Sequence, residues 1–140
     1  MNQRPAEPKP QTGADLKSRS GLARISKAAI YSFYGFRAAL KHEHAFRQEL
    51  MLVAVLTPVA LLLPVSALSK LALLAVLLLV LIVELLNSAI EAVVDKASPE
   101  IHPLAGRAKD MGSAAVFLSL LLAAATWGVV AGPVLVNWIA

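Results

Sequence analysis

Cysteine is missing from all 140 residues, so neither a disulfide framework nor a thiolate metal site can form, and the redox compartment stays open. Charge is scarce too. Asp, Glu, Lys and Arg make up 16% against 58% hydrophobic residues, too apolar a balance for an ordinary soluble protein of this size. The nucleotide-binding signatures of soluble phosphotransferases are absent: there is no G-x-x-x-x-G-K-[ST] loop and no set of Gly-rich loop, H-R-D and D-F-G. Any nucleotide would therefore be held by a different scaffold. Nor do the first residues read as a signal peptide, because Met1 to Gly21 carries Pro, Lys, Arg and Gln with no apolar core before a small-residue cleavage site.

What remains is the composition of a single-domain, all-α integral membrane protein. The formal charge of +4 would by itself suit nucleic acid or an anionic membrane surface, but nine of the 13 Lys and Arg precede Leu50, which favours the membrane and leaves no expected nucleic-acid partner. Residues 1–20 lack apolar periodicity and predict a disordered cytoplasmic tail. From Leu22 the apolar positions Ile25, Ala29, Phe33, Phe36 and Leu40 step by three and four, opposite Arg24, Lys27, Tyr31 and Lys41. This pattern predicts a basic amphipathic helix in the membrane interface over about 21–48. Three apolar runs then predict spans over about 50–68, 71–94 and 111–139. Pro58 and Pro64 are expected to kink or shorten the first. The second loop carries Lys96, Arg107 and Lys109 and the first turn only Lys70, so the positive-inside rule puts the N-terminus and second loop in the cytoplasm.

Within the second run, Asn87, Ser88, Glu91 and Asp95 all fall within about 60° of Glu84 on a helix advancing about 100° per residue. An acidic residue at the centre of a membrane helix costs roughly 2.5 to 3.5 kcal/mol, so such a stripe faces a site, a partner or water. Glu84 and Glu91 are two turns apart, too far to clamp one ion alone, but Glu43 and Glu49 near the end of the surface helix can join them. A Glu43 with Glu91 pair suits Mg²⁺, which binds one or two carboxylates together with substrate phosphates and water. The neighbouring His42 and His44 diverge around a helix and make a poor transition-metal site.

A second polar segment, Gly106 to Ser113, stands where the third span is expected to begin. A helix start offers free N–H groups, and Arg107 and Lys109 add cations that a bound phosphate would reconcile with the helix dipole. The plainer alternative makes them positive-inside anchors with Asp110 as an N-cap. Beside the acidic stripe the anion-binding option gains weight, since carboxylates, a divalent ion and a basic pocket are the parts of a phosphoryl-transfer site.

VELLNSAIEAVVD followed by GRAKDMGSAA, with HAFRQE and RISKAAIYSFYGFRAA upstream, resembles the bacterial integral-membrane diacylglycerol kinase family over nearly everything from Leu22 to Trp127. The resemblance implies an interfacial helix plus three spans in the bacterial inner membrane, assembled as a homotrimer, with ATP and Mg²⁺ phosphorylating a lipid hydroxyl at the cytoplasmic face. It implies that Glu84 is the general base and that Glu43 and Glu91 hold Mg²⁺ on the ATP phosphates. Lys109 then neutralises phosphate charge, and Arg24, Tyr31, Glu100, His102 and Asp110 match nucleotide-binding positions. Arg47, Glu49, Asn87 and Ser113 are expected at the lipid headgroup and reacting centre. Pro99 and Pro103 beside Glu100 and His102, and the Pro-containing tail, depart from the family pattern.

Within the same family the alternative is an undecaprenol kinase. From a different class comes a small proton or cation pathway, which would spread ionisable groups across the membrane depth. A purely structural membrane subunit leaves the stripe and the GRAKD segment unexplained.

Overall fold

The computed structural model describes residues 21–97 and 102–139. Its described residues are all helical apart from short connections, with α1 at Gly21–His42, α2 at His44–Leu62, α3 at Ala67–Ala97 and α4 at Pro103–Ile139. The described residues divide into two units, one ending at Arg37 and one beginning at Ala38. In the first, α1 exposes Arg24 and Tyr31, and also the apolar Ile25 and Phe33. The expected tail over 1–20 lies outside the described residues.

The second unit holds three helices long and apolar enough to cross a membrane. Their limits differ from those the hydropathy runs predict. The expected surface helix to about 48 stops at His42, because Glu43 takes an extended backbone (φ −101°, ψ 113°) and acts as N-cap of α2. The break is tied across by Arg47, whose Nη1 donates to the Leu40 carbonyl at 3.0 Å. No Gly or Pro marks this position, so its signal is absent from the sequence.

Pro58 sits inside α2 without ending it, whereas Pro64 does end it. A residue before proline is driven from the α region, and Leu63 turns to ψ 137°. The turn is then secured from both sides. Ser66 Oγ accepts the Ser69 N–H at 3.1 Å, capping the start of α3, and Lys70 Nζ donates to the Leu61 carbonyl at 2.6 Å, satisfying the end of α2.

The third span, expected from about 111, begins eight residues earlier at Pro103, and the expected loop from Asp95 to Asp110 shrinks accordingly. Ala, Arg, Lys and Met are strong helix formers, so the segment continues as helix although its charges interrupt the apolar run. Pro103 occupies the first helical position, where its missing N–H costs nothing. His102 caps it, its Nδ1 accepting the Leu104 N–H at 3.2 Å.

Helix α3 packs on both α2 and α4. Its buried residues Leu73, Leu77, Val80, Glu84 and Ser88 step by four, three, four and four, so one face runs from apolar to polar along its length. At the apolar end Leu73 packs with Ala60, Leu63 and Ala131. Along α4 the buried positions Gly112, Ser119, Ala123 and Ala131 are all small, which lets the two backbones approach.

Candidate active site

The polar half of the α3 face gathers the carboxylates. Glu84 is 3% exposed, the only charged side chain buried outright among the described residues. It lies within electrostatic reach of Glu91 one way along the helix and of Glu43 from the start of α2, and Glu49 is in turn within reach of Glu84. Glu43, Glu49 and Glu91 are half-buried. Glu84 is thus the carboxylate that links the other three, each within electrostatic reach of it without three of them closing on a common point.

One amide serves them. Asn87 Nδ2 donates to Glu91 Oε1 at 3.1 Å, and the same side chain also faces Glu84. Asn87 Oδ1, Ser88 Oγ and Glu49 Oε2 are buried without a hydrogen-bond partner, an arrangement that ordinarily costs about 1–3 kcal/mol per group. Among the described residues the one ion pair is Lys109 Nζ to Asp95 Oδ1 at 2.9 Å, joining α4 to α3. Lys109 also lies within electrostatic reach of Glu91, so a cation stands at the edge of the acidic cluster.

The remaining expected site residues fall as follows. Arg47 is half-buried and commits one N–H to Leu40, leaving the rest of its donors free. Ser113, Asp110 and Arg107 are exposed on α4, and His102 is exposed at its cap. Glu100 lies outside the described residues. Arg24 and Tyr31 are exposed on α1 in the other unit. The Gly106–Ser113 segment is not a helix start, as the anion-binding expectation requires, and Asp110 is not an N-cap. Both are overturned because the helix begins at Pro103 and the segment's N–H groups are taken up inside it.

Three features had no readable signal. Asp95 is the partner of Lys109. Gly112 packs against Asn87: a Cβ there would run into Asn87 Oδ1, while Gly35, Gly106, Gly128 and Gly132 face open space. An apolar cavity of about 450 Å³ lies between α2, α3 and α4, lined by Leu52, Leu56, Leu77, Val80, Ala123 and Trp127 and ending at Glu49. Trp127 Nε1 is buried on its wall without a partner. Apolar lining residues look alike in sequence whether they enclose space or fill it.

Among the described residues no three His, Asp or Glu side chains come together as a metal cage. A magnesium ion carried with a nucleotide does not need one, since it keeps several waters and takes one or two carboxylates plus phosphate oxygens. Glu43 and Glu91 supply hard oxygen donors of that kind. Asn87 engages only one Glu91 oxygen, so the other keeps its capacity as a hard donor.

Comparison with known proteins bears on this geometry. Residues 30–131 match the family model described as prokaryotic diacylglycerol kinase. A diacylglycerol kinase of Pseudomonas aeruginosa is 54% identical over 115 residues, covering 82% of this chain and 94% of that protein. One from Escherichia coli K12 is 50% identical over 108 residues, with 77% and 88% covered, and one from Haemophilus influenzae is 41% identical over 109 residues, with 78% and 92% covered. The matched region takes in the carboxylate cluster, Asn87, Lys109 and Gly112. With that span and these identities, the chain belongs to the prokaryotic diacylglycerol kinase family, a family of lipid kinases.

Proposed function

We propose that this protein transfers the γ-phosphoryl group of ATP to the free hydroxyl of diacylglycerol, giving phosphatidic acid and ADP, at the cytoplasmic face of the bacterial inner membrane. The observation that carries the reading is the continuity of two unlike environments. Glu49 belongs to the carboxylate group and also lines an apolar cavity of about 450 Å³, so a lipid whose hydroxyl meets the carboxylates has apolar space for its chain. The names of the relatives supply the diacylglycerol.

Glu84 is the residue for accepting the hydroxyl proton, since it is the most buried carboxylate and Asn87 orients it. Glu43 and Glu91 would hold Mg²⁺, which when bound neutralises charge on the phosphates. Lys109 stands beside Glu91 to meet phosphate oxygens, with Asp110, His102, Glu100, Arg24 and Tyr31 as further nucleotide contacts. Arg47, Glu49, Asn87 and Ser113 receive the headgroup. Little covalent chemistry is left to the protein in such a transfer: positioning and electrostatic stabilisation do most of it. A homotrimer suits the arrangement, since Glu43, Asn87 and Glu91 are only half-buried in one chain and a neighbouring copy would shield them from lipid.

The test is transfer of label from γ-labelled ATP by the purified protein in mixed micelles, with diacylglycerol and undecaprenol compared side by side. Labelled phosphatidic acid formed at the higher kcat/KM, and only with Mg²⁺ present, is the expected result. Faster formation of undecaprenyl phosphate would overturn the substrate assignment. Native mass spectrometry in mild detergent should find trimers, and active monomers alone would remove the assembly.

A further inference from the structure

We infer that Gly112 is a positioning residue for Glu91, acting through Asn87; this rests on the kinase reading above. Glycine inside a helix sacrifices helical preference and needs a reason. At Gly35, Gly106, Gly128 and Gly132 no neighbouring atom supplies one, because a Cβ would enter open space. At Gly112 it would strike Asn87 Oδ1 and crowd Asn87 Cγ at 3.3 Å. The glycine surface of α4 is therefore the wall against which the Asn87 carbonyl lies.

That wall sets the direction of the amide. With Oδ1 against Gly112, Nδ2 points the other way and donates to Glu91 Oε1 at 3.1 Å. The carboxylate only accepts, so the amide nitrogen has to be the end that faces it. Asn87 Oδ1 has no hydrogen-bond partner of its own, so packing on Gly112 rather than bonding keeps it in place. The Asn87 Cα would stand 3.9 Å from the new Cβ, an ordinary contact, so the helices need not part. What must move is the flexible end of Asn87, and turning it away takes Nδ2 from Glu91. A single methyl on α4 thus disarms a carboxylate on α3 without unfolding either.

Groups that orient a metal-ligating side chain are typically worth about 10–100-fold in metal affinity. Gly112→Ala should raise the free Mg²⁺ needed for half-maximal rate by a factor in that range, and because Asn87 also faces Glu84, kcat at saturating Mg²⁺ should fall as well. The same factor should appear without turnover, in Mn²⁺ binding measured by electron paramagnetic resonance in the presence of a non-hydrolysable ATP analogue. Asn87→Ala should show the same loss, and the double variant Asn87→Ala/Gly112→Ala should be no worse than Asn87→Ala. Gly128→Ala, with open space at its Cβ, should match the parent protein in both assays.

A Gly112→Ala protein with parental Mg²⁺ and Mn²⁺ behaviour overturns the inference, and so does a double variant whose loss is the product of the two single losses. If Gly112→Ala fails to fold, a double variant that folds and behaves like Asn87→Ala upholds it, and one that also fails refutes it. Failure of the parent protein to phosphorylate diacylglycerol would instead strike the kinase reading, while the Mn²⁺ measurements would still decide the role of Gly112.

Discussion

Replacing Glu84 with Gln separates chemistry from folding at the most buried charge among the described residues. The side chain is 3% exposed, and the neighbours that act on it are Glu91, Glu43 and Asn87, with no cation among them. Gln keeps the shape and an oxygen for Asn87 but cannot accept a proton. General-base catalysis is worth about 10²–10⁴ in rate. At roughly 1.36 kcal/mol per decade, the loss is at least about 2.7 kcal/mol of transition-state stabilisation. Stability should move the other way or not at all. The substitution removes one charge from a cluster of like charges, and an acidic residue at the centre of a membrane helix costs roughly 2.5–3.5 kcal/mol.

The assay pairs labelled phosphatidic acid formation with thermal unfolding followed by the fluorescence of Trp127 and Trp138, the former half-buried on the cavity wall. The expected result is turnover down by about 10² or more, KM for ATP near the parent value, and Tm equal or higher. Near-normal turnover would remove Glu84 as the base. Loss of turnover together with a lowered Tm would return it to a structural role.

Asp95→Asn breaks an ion pair whose side chains are 39% and 65% exposed, so Tm should hardly change and KM for ATP should stay level or fall as Lys109 is released. Lys109→Ala should raise that KM; a rise of equal size in Asp95→Asn would mean that the pair orients the lysine. Leu73→Ala empties a fully buried position among Ala60, Leu63 and Ala131 and should cost about 2 kcal/mol, the low end for such changes, because packing is lost but little transfer from water. Unfolding by SDS titration in mixed micelles reads this, and turnover in the folded fraction should persist.

The three long helices were legible because each apolar run is long enough to cross a bilayer, and the acidic stripe because helical geometry alone puts Glu84, Ser88 and Glu91 on one face. Helix ends were not. Hydropathy stops at Met111 where charge begins, yet backbone propensity carries α4 back to Pro103, and the break at Glu43 has neither Gly nor Pro to announce it. Of the two prolines expected to kink or shorten the first span, Pro58 lies inside α2 and Pro64 ends it, six residues short of the expected limit. Long-range packing was beyond reach in principle: the contact of Gly112 with Asn87 and the pairing of Lys109 with Asp95 depend on how α4 lies along α3, which no local pattern encodes.

Helix length explains why such a site belongs at a boundary. The 31 residues of α3 span about 46 Å at 1.5 Å each, against about 30 Å of hydrocarbon. Counting 30 Å from Leu71, where the uninterrupted apolar stretch begins, reaches about Glu91. Glu84 then lies about 10 Å inside the apolar layer, while Asp95 and its partner Lys109 stand beyond it. Below Glu84 the same face continues as Val80, Leu77 and Leu73, all at 3% exposure or less, so the polar groups end abruptly instead of crossing. A cation or proton pathway would need them to continue. A reaction between a nucleotide that stays in water and an alcohol that stays in lipid needs only what is here: a short ladder of carboxylates with its upper end wet, its lower end buried, and an apolar cavity alongside.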